Sequence, residues 1–427
     1  MLVQPRRLVT GRIRWRITFA AFKHRNYQLF FGGQLVSLVG TWMQTVAEGW
    51  LAYQLTNSAF ALGAIRFFHT IPITLFSLLA GAVADRSEKR RILIATQALS
   101  MVLAAALAAL AYAGIIRPWH IALLGFFLGL ASAFDIPARQ SFVVEMVGKE
   151  DLMNAIALNS SMFNGARIVG PAIAGLLLGP IGAAGCFLIN AFSFLAVIGG
   201  YAAMDFPKPA QKPPSISLKA ATLEAVRYVL GDRVLRAALS LVSVVSMFGW
   251  PYSVLMPIFA RDVLHAGAAG YGYLMAANGV GAFFGAMTLA SIGNYPHKRR
   301  LVFGGLFGFC GMLLLFAISK IFWLSALALA GTGYFMIIFF ATANTVVQLR
   351  VPDPLRGRVM GIYSLCFLGL SPFGSLIAGT LARLTTASLA IVLGIAICIL
   401  AGFITMWLVP PQAVKESGNQ PELPPEA

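Results

Sequence analysis

From Ile92 to Gly114 the chain reads ILIATQALSMVLAAALAALAYAG, without one charged side chain. At about 1.5 Å per residue, such a run coiled as an α-helix reaches across the ~30 Å apolar core of a bilayer. In lipid only a helix or a closed barrel satisfies every backbone N–H and C=O, and an uninterrupted apolar run lacks the alternation of barrel strands. Runs of this kind recur along the whole chain, at 27–53, 59–80, 92–113, 119–136, 153–178, 182–204, 236–260, 270–292, 300–319, 322–348, 358–382 and 387–409. A soluble fold is excluded. With 59% hydrophobic and 11% charged residues, against about a quarter charged in soluble domains, the chain could not clothe a water-facing surface. The expected fold class is an all-α membrane protein with twelve transmembrane helices in two pseudo-symmetric six-helix halves.

An even number of spans puts both termini on one face. Of the 32 Lys and Arg, only Arg117, Arg261, Lys320 and Arg383 fall on the opposite face, and Arg66 and Arg167 fall inside spans. The excess of positive charge marks the cytoplasmic side. The expectation is a multi-pass protein of the cell (inner or plasma) membrane with both termini cytoplasmic. The net charge of +17 is then topological. No stacking module or basic helix points to nucleic acid, and the expected partners are membrane lipid and a small-molecule substrate, with the chain a monomer. Cys186, Cys310, Cys366 and Cys398 all lie in apolar runs and read as small hydrophobes. No spacing suggests a disulfide, a metal site or a cofactor. The basic N-terminus has no long apolar stretch followed by a cleavage site, so the first span reads as the insertion signal.

The longest connection divides the chain six spans from six. The organisation expected is a basic N-terminus (1–26), a first bundle (27–204), a central loop with an amphipathic helix (205–235), a second bundle (236–409) and a disordered tail (410–427). Two short repeats fall at equivalent points: EKRRIL at 88–93 with HKRRLV at 297–302, and IAG at 173–175 with IAG at 377–379. A duplicated six-helix unit is the arrangement of many secondary transporters.

Charged groups at membrane depth are costly and mark function. Gln34, Ser37, Thr41, Gln44 and Glu48 recur at spacings of 3, 4, 3 and 4, which puts them on one helical face. That stripe reads as lining a water-filled cavity, with a helix contact as the alternative. Glu48 and Arg66 lie at matched depths on consecutive antiparallel spans, so an ion pair is expected, with His69 one turn deeper. Functionally Glu48 would then be a proton site whose affinity depends on whether Arg66 or water faces it. A static pair holding two helices is the alternative. Arg167 sits mid-span, with backbone carbonyls, Asn159 or Glu48 as partners. Asp135 and Arg139 flank Pro137 at the inner end of the fourth span. Ala166, Gly170 and Ala174, and likewise Ala277, Gly281 and Gly285, form small-residue ridges that let helices approach closely. They suit an interface between halves, and plain packing explains them equally. Met247, Trp250, Tyr252, Met256, Tyr363 and Phe367 would make an adaptable apolar wall in the second half, with ordinary lipid or core contact as the alternative for each.

Asp85 to Arg91 packs six charges into seven residues between two uncharged runs. Lys89, Arg90 and Arg91 serve topology, whereas Asp85 does not. The pattern Gly81-x-Val83-Ala84-Asp85-Arg86-x-x-Lys89-Arg90-Arg91 resembles the loop 2–3 signature of the major facilitator superfamily, with Glu88 standing where a second glycine is usual. DPLRGRVMG at 353–361, which contains Arg356, Gly357 and Arg358, resembles that superfamily's loop 10–11 segment. FKHRNYQLFFGGQLVSLVGTWMQTVAEGWLAYQLTNS, LGAIRFFHTIP, FDIPARQSF, NSSMFNGARIVGPAIAGLL and FLINAFSFLAV narrow the likeness to the efflux branch that contains the enterobactin exporter and macrolide-efflux proteins. The resemblance implies export of an amphipathic compound, driven by inward proton flow. It also implies a cytoplasmic gate of Gly81, Asp85, Arg86, Lys89, Arg90, Arg91, Arg139, Arg356, Gly357 and Arg358. Related antiporters carry an Arg-x-x-x-Gly pattern in the fourth span. Here Gly125 takes the arginine's place, four before Gly129.

A facilitator or importer of a small metabolite and a non-transporting membrane scaffold are the competing readings. The intramembrane charges disfavour the scaffold. An enzyme is not expected, and neither is direct ATP drive, because no phosphate-binding loop of the G-x-x-x-x-G-K type is present.

Overall fold

The computed structural model describes residues 19–148, 150–205, 218–293 and 295–409, with only the backbone described at Leu78, Ala82, Asp85, Arg86, 218–222 and Asp353. Most of the basic N-terminus, the Pro-rich start of the central connection and the tail expected at 410–427 lie outside the described residues. The described chain is helical throughout. Its long elements are α1 (Arg25–Thr56), α2 (Ala59–Arg86), α3 (Lys89–Tyr112), α4 (Pro118–Val147), α5 (Leu152–Leu177), α6 (Gly182–Ala202), the shorter α7 (Leu218–Gly231), α8 (Arg233–Val263), α9 (Gly267–Ile292), α10 (Lys298–Ile318), α11 (Phe322–Arg350), α12 (Pro354–Leu384) and α13 (Ala387–Leu408). Among the described residues, ten of these are long and apolar enough to cross a membrane. Helices α1 and α5, at 32 and 26 residues, have the length but are diluted by Gln34, Ser37, Thr41, Gln44 and Glu48 and by Asn159, Ser160, Ser161 and Asn164.

Turns between helices are tight and chemically marked. Asn57 closes α1 in the left-handed conformation (φ 46°), its N–H on the Tyr53 carbonyl, and Ser58 starts α2 by accepting from the Ala61 N–H at 3.3 Å. An asparagine tolerates that backbone at a helix C-terminus where most residues do not. Asp232 caps α8 through the N–H groups of Val234 (2.8 Å) and Leu235 (2.9 Å). Helix α4 extends beyond the apolar run of 119–136, continuing through Pro137 to Val147. Helices α8 and α12 are irregular instead, with π-helical turns at Val245–Gly249, Phe259–Val263 and Leu365–Gly369. Such turns are frequent at functional sites. Ser246 Oγ donates to the Phe367 carbonyl and ties the two irregular segments together.

Helices α1–α6 pack mainly on one another, α1 against α5 and α6 and α2 against α4, and α8–α13 do the same, with α11 against α9 and α10. The two groups meet through α2 with α12 and α5 with α9. The ridges at Gly170, Gly281 and Gly285 do not form this junction. Gly170 packs on Val39, Trp42 and Met43 of α1, while Gly281 and Gly285 pack on the Ala330 and Tyr334 backbone of α11. The junction uses other glycines. A Cβ at Gly272 would stand 2.4 Å from Gly175 Cα, and one at Gly63 would stand 3.1 Å from Gly379 Cα. Small-residue spacing identifies helices that approach closely, but not which neighbour they approach.

Candidate functional site

The two groups of helices are closed at one end, where α1 turns into α2 and α8 into α9. There the Tyr53 hydroxyl donates to the Asp262 carboxylate, and Arg261 Nη1 donates to Asn57 Oδ1 at 2.5 Å. The Arg261 guanidinium also lies over the Tyr53 ring, 5.3 Å from its centroid. Trp50 stacks with Tyr271 at 6.3 Å. Further along, Thr74 Oγ1 donates to the Gly369 carbonyl (3.3 Å) and Arg167 Nη2 donates to Asn278 Oδ1 (2.7 Å). Between described residues, these four hydrogen bonds are the ones that join α1–α6 to α8–α13. Toward the opposite end, Leu75 and Leu79 of α2, Ile156 and Phe163 of α5 and Leu365 and Leu368 of α12 are exposed. Cβ atoms at Gly357 and Gly361, in the first turns of α12, would meet nothing within 4 Å.

Glu48 is buried at the closed end, 6% exposed, and Oε1 has no hydrogen-bond partner. The expected ion pair with Arg66 is not formed, since no Arg66 nitrogen comes within 4.0 Å. Oε2 instead lies 3.9 Å from His69 Nδ1. Arg66 remains within electrostatic range of Glu48, His69 and Tyr271. Matched depth on two helices fixes height but not rotation about the axes, and here His69 has the rotation. Gly125 of α4 completes the site: a Cβ there would stand 3.7 Å from His69 Nδ1 and 3.9 Å from Glu48 Oε1. The position where related antiporters carry arginine is thus beside the carboxylate. A carboxyl group with one unpartnered oxygen, facing an imidazole and a guanidinium, can hold or release a proton according to which of them faces it.

The polar stripe of α1 is divided. Gln44 Oε1 accepts from Asn190 Nδ2 of α6 at 2.6 Å, and Gly33 and Gly40 in the same register pack on α6 at Ala196, Val197, Asn190 and Ser193. Gln44 therefore serves the α1–α6 contact rather than a cavity wall, and Ser37 is buried. Thr41 is exposed, and Gln34 is buried with Oε1 unpartnered. The stripe is wide enough to straddle the border between packing and cavity, a border set by the neighbouring helix.

Arg167 finds none of its expected partners. Asn159 instead accepts from Tyr27 (3.0 Å), and Asn278 of α9, which sequence reasoning missed, takes the Arg167 guanidinium. Asn278 Nδ2 also donates to the Tyr252 hydroxyl (2.8 Å) and the Leu329 carbonyl (3.2 Å), so one amide links α5, α8, α9 and α11. A lone asparagine in an apolar span was the available signal. Trp250 packs with Phe340 (5.5 Å) and Phe367 (5.0 Å), and Tyr363 stacks on Phe367 (6.1 Å). Tyr252, Met256 and Tyr363 are buried.

At the end where α2 turns into α3 the described basic residues are largely paired. Asp135 is 8% exposed, accepts from Gln97 Nε2 (2.8 Å) and pairs with Arg139 (3.2 Å). Lys89 pairs with Glu145, Arg91 with Glu88 (2.5 Å), and Arg90 donates to the Tyr201 and Ala202 carbonyls (2.7 and 2.6 Å). Arg358 pairs with Glu224 of α7, and Arg350 with Asp232, both at 2.6 Å. The Asp85 and Arg86 side chains lie outside the described residues. Near the same end, Asp151 is held by Lys23 (2.6 Å) and His24 (2.8 Å), and the Lys23 ammonium holds its carboxyl below the usual carboxylate range.

Among known proteins, the profile of the transmembrane secretion effector family matches residues 16–425. The chain is 25% identical to the staphyloferrin A transporter of Staphylococcus aureus over 82% of this chain and 87% of that one. It is 26% identical to the multidrug efflux pump Tap of Mycolicibacterium fortuitum over 82% and 87%. With the enterobactin exporter EntS of Shigella flexneri it shares 24% identity over 87% and 89%. In fold it is similar to a mutant of the nucleoside transporter NupG (TM-score 0.73, 13% identity, 90% of this chain and 100% of that one). It is also similar to an inward-facing bacterial Spinster homologue (TM-score 0.68, 12% identity, 95% and 99%). The buried charges, the helical fold and the family match agree: the chain belongs to the transmembrane secretion effector family and is a major facilitator superfamily transporter of the efflux branch.

Proposed function

We propose that this protein is a twelve-span secondary transporter, built from two pseudo-symmetric six-helix halves, that exports a small amphipathic compound by alternating access with protons moving inward. The observation that carries the reading is the closure at the α1–α2 end, where the Tyr53–Asp262 and Arg261–Asn57 latches and the glycine contacts between the two groups lie. With the positively charged loops cytoplasmic, the closed end faces outside and the cavity opens to the cytoplasm. Cargo enters from there. The halves then rock about α2–α12 and α5–α9, the cytoplasmic end closes, and the outer latches part. In the closed cytoplasmic end Asp85 meets the start of α12 near Gly357 to Gly361, together with Arg139. Outside, Glu48 loads a proton, with His69 and Arg66 beside it, and releases it on the return. The siderophore and drug cargoes named for its relatives support a cargo of that general kind.

Transport into inside-out vesicles tests this, with and without a pH gradient acid on the lumen side. The parent should accumulate cargo only with the gradient. Glu48→Gln, which mimics a permanently protonated group, should lose gradient-driven accumulation and keep exchange down a concentration gradient. Wild-type accumulation by Glu48→Gln would make Glu48 structural, with Asp135 the next coupling candidate.

A further inference from the structure

Arg167 is a mid-membrane cation, and among the described residues no Asp or Glu oxygen comes within ion-pair distance of it; its guanidinium donates to Asn278 Oδ1. Of a guanidinium's five N–H donors, the Asn278 bond uses one. Glu48 does not serve as its counter-charge. The residue next to Glu48 packs on Tyr271, a Cβ at Gly49 standing 2.9 Å from the Tyr271 hydroxyl, and Tyr271 and Asn278 are seven residues apart on α9, which is about 10 Å along a helix. The Asp135 carboxylate is already taken by Arg139 and Gln97. Beside Arg167 stand two aromatic rings. Trp42 lies with its centroid 6.0 Å from the guanidinium, and Phe163, one turn from Arg167 on α5 and 44% exposed, packs edge-on against Trp42 at 5.8 Å. A planar fork of donors next to an aromatic platform is the recognition chemistry for a carboxylate carried on a flat apolar body.

Resting on the transport reading above, we propose that the cargo is an amphipathic organic anion whose carboxylate is received by Arg167 and whose ring system lies on Trp42 and Phe163. Arg167 also holds Asn278 across the junction of the two helix groups, so an anion that draws the guanidinium away exchanges an inter-group bond for a cargo bond. That links occupancy to the α5–α9 contact. An outgoing anion and an incoming proton move charge in the same sense, so an interior-negative membrane potential drives both.

The test uses the full chain in inside-out vesicles and two probes with one aromatic body: coumarin-3-carboxylate, and the same coumarin carrying a trimethylammonium group through an amide. The readout is the ratio of anion to cation uptake within each variant, because a variant that merely folds less well lowers both alike. Wild type should favour the anion at least tenfold. Arg167→Gln should lower that ratio at least tenfold, and Arg167→Lys should keep part of it. Preference for the cation in wild type, or an unchanged ratio in Arg167→Gln, overturns the anion site while leaving transport standing. Uptake of neither probe by wild type overturns the transport reading and the site with it.

Discussion

Replacing Gly272 by alanine should push the protein toward its outward-open form. The added Cβ would stand 2.4 Å from Gly175 Cα, 2.5 Å from its nitrogen and 2.6 Å from the Pro171 carbonyl oxygen. All three are backbone atoms of α5, so no rotamer change relieves the overlap, and α9 must move from α5 near the closed end. Overpacking of this kind costs about 1–3 kcal/mol. In the proposed cycle the contact exists only while the outer end is shut, so the strain falls on the inward-open state. That shifts the ratio of states by roughly 5- to 150-fold. A Thr41→Cys background places a thiol at an exposed position of α1, and a membrane-impermeant maleimide applied from outside reads how often that position opens outward. The labelling rate should rise in Gly272→Ala by about the same factor. Gly165→Ala, on the same α5 but with nothing within 4 Å, should leave the rate unchanged. An unchanged rate in correctly folded Gly272→Ala would refute the assignment of this contact to the outer closure.

Three further outcomes follow from named contacts. Tyr53→Phe removes the hydroxyl that holds Asp262; losing a hydrogen bond to a charged group is worth about 1.5–3 kcal/mol, so outside labelling of Thr41→Cys should again rise, and no change would relegate the bond to decoration. Asp135→Ala strands Arg139 in a mostly buried site and should destabilise the protein by about 3 kcal/mol, seen as a lower unfolding temperature in detergent; an unaltered temperature would contradict the burial. The lowered pKa of Asp151 means that its bridge to Lys23 and His24 contributes above the ordinary carboxylate value, near pH 4, and is lost as pH falls through the lower folded value. The unfolding temperature of Asp151→Asn should therefore lie slightly below wild type at pH 7 and converge with it in strong acid, whereas a gap that widens in acid would give the linkage the wrong sign.

Much of the helical order was legible because a bilayer demands long uncharged runs, and Asp85 to Arg91 marked a turn that lipid cannot hold. Lateral relations were less legible. Periodicity brought Gln34 through Glu48 to one side of α1, but only the neighbours decide that Gln44 meets Asn190 while Glu48 meets His69 and Gly125. Asp135 and Arg139 flank Pro137, and because α4 continues through that proline they stay four residues apart on one helix and pair. Arg167 announced itself as a cation in lipid. Its partner could not be named, because Asn278 is 111 residues away and only the α5–α9 packing joins them.

In the proposed cycle the two ends of the molecule open in opposition. Spin labels on Ala61→Cys with Leu384→Cys report the α2–α12 distance at the closed end, and labels on Leu79→Cys with Leu365→Cys report it at the open end. Distance distributions at neutral and acidic pH should each contain two populations that trade places in opposite senses: short outside with long inside, and long outside with short inside. Ends that widen together, or an outer pair that stays short while the inner pair changes, would contradict alternating access by this chain.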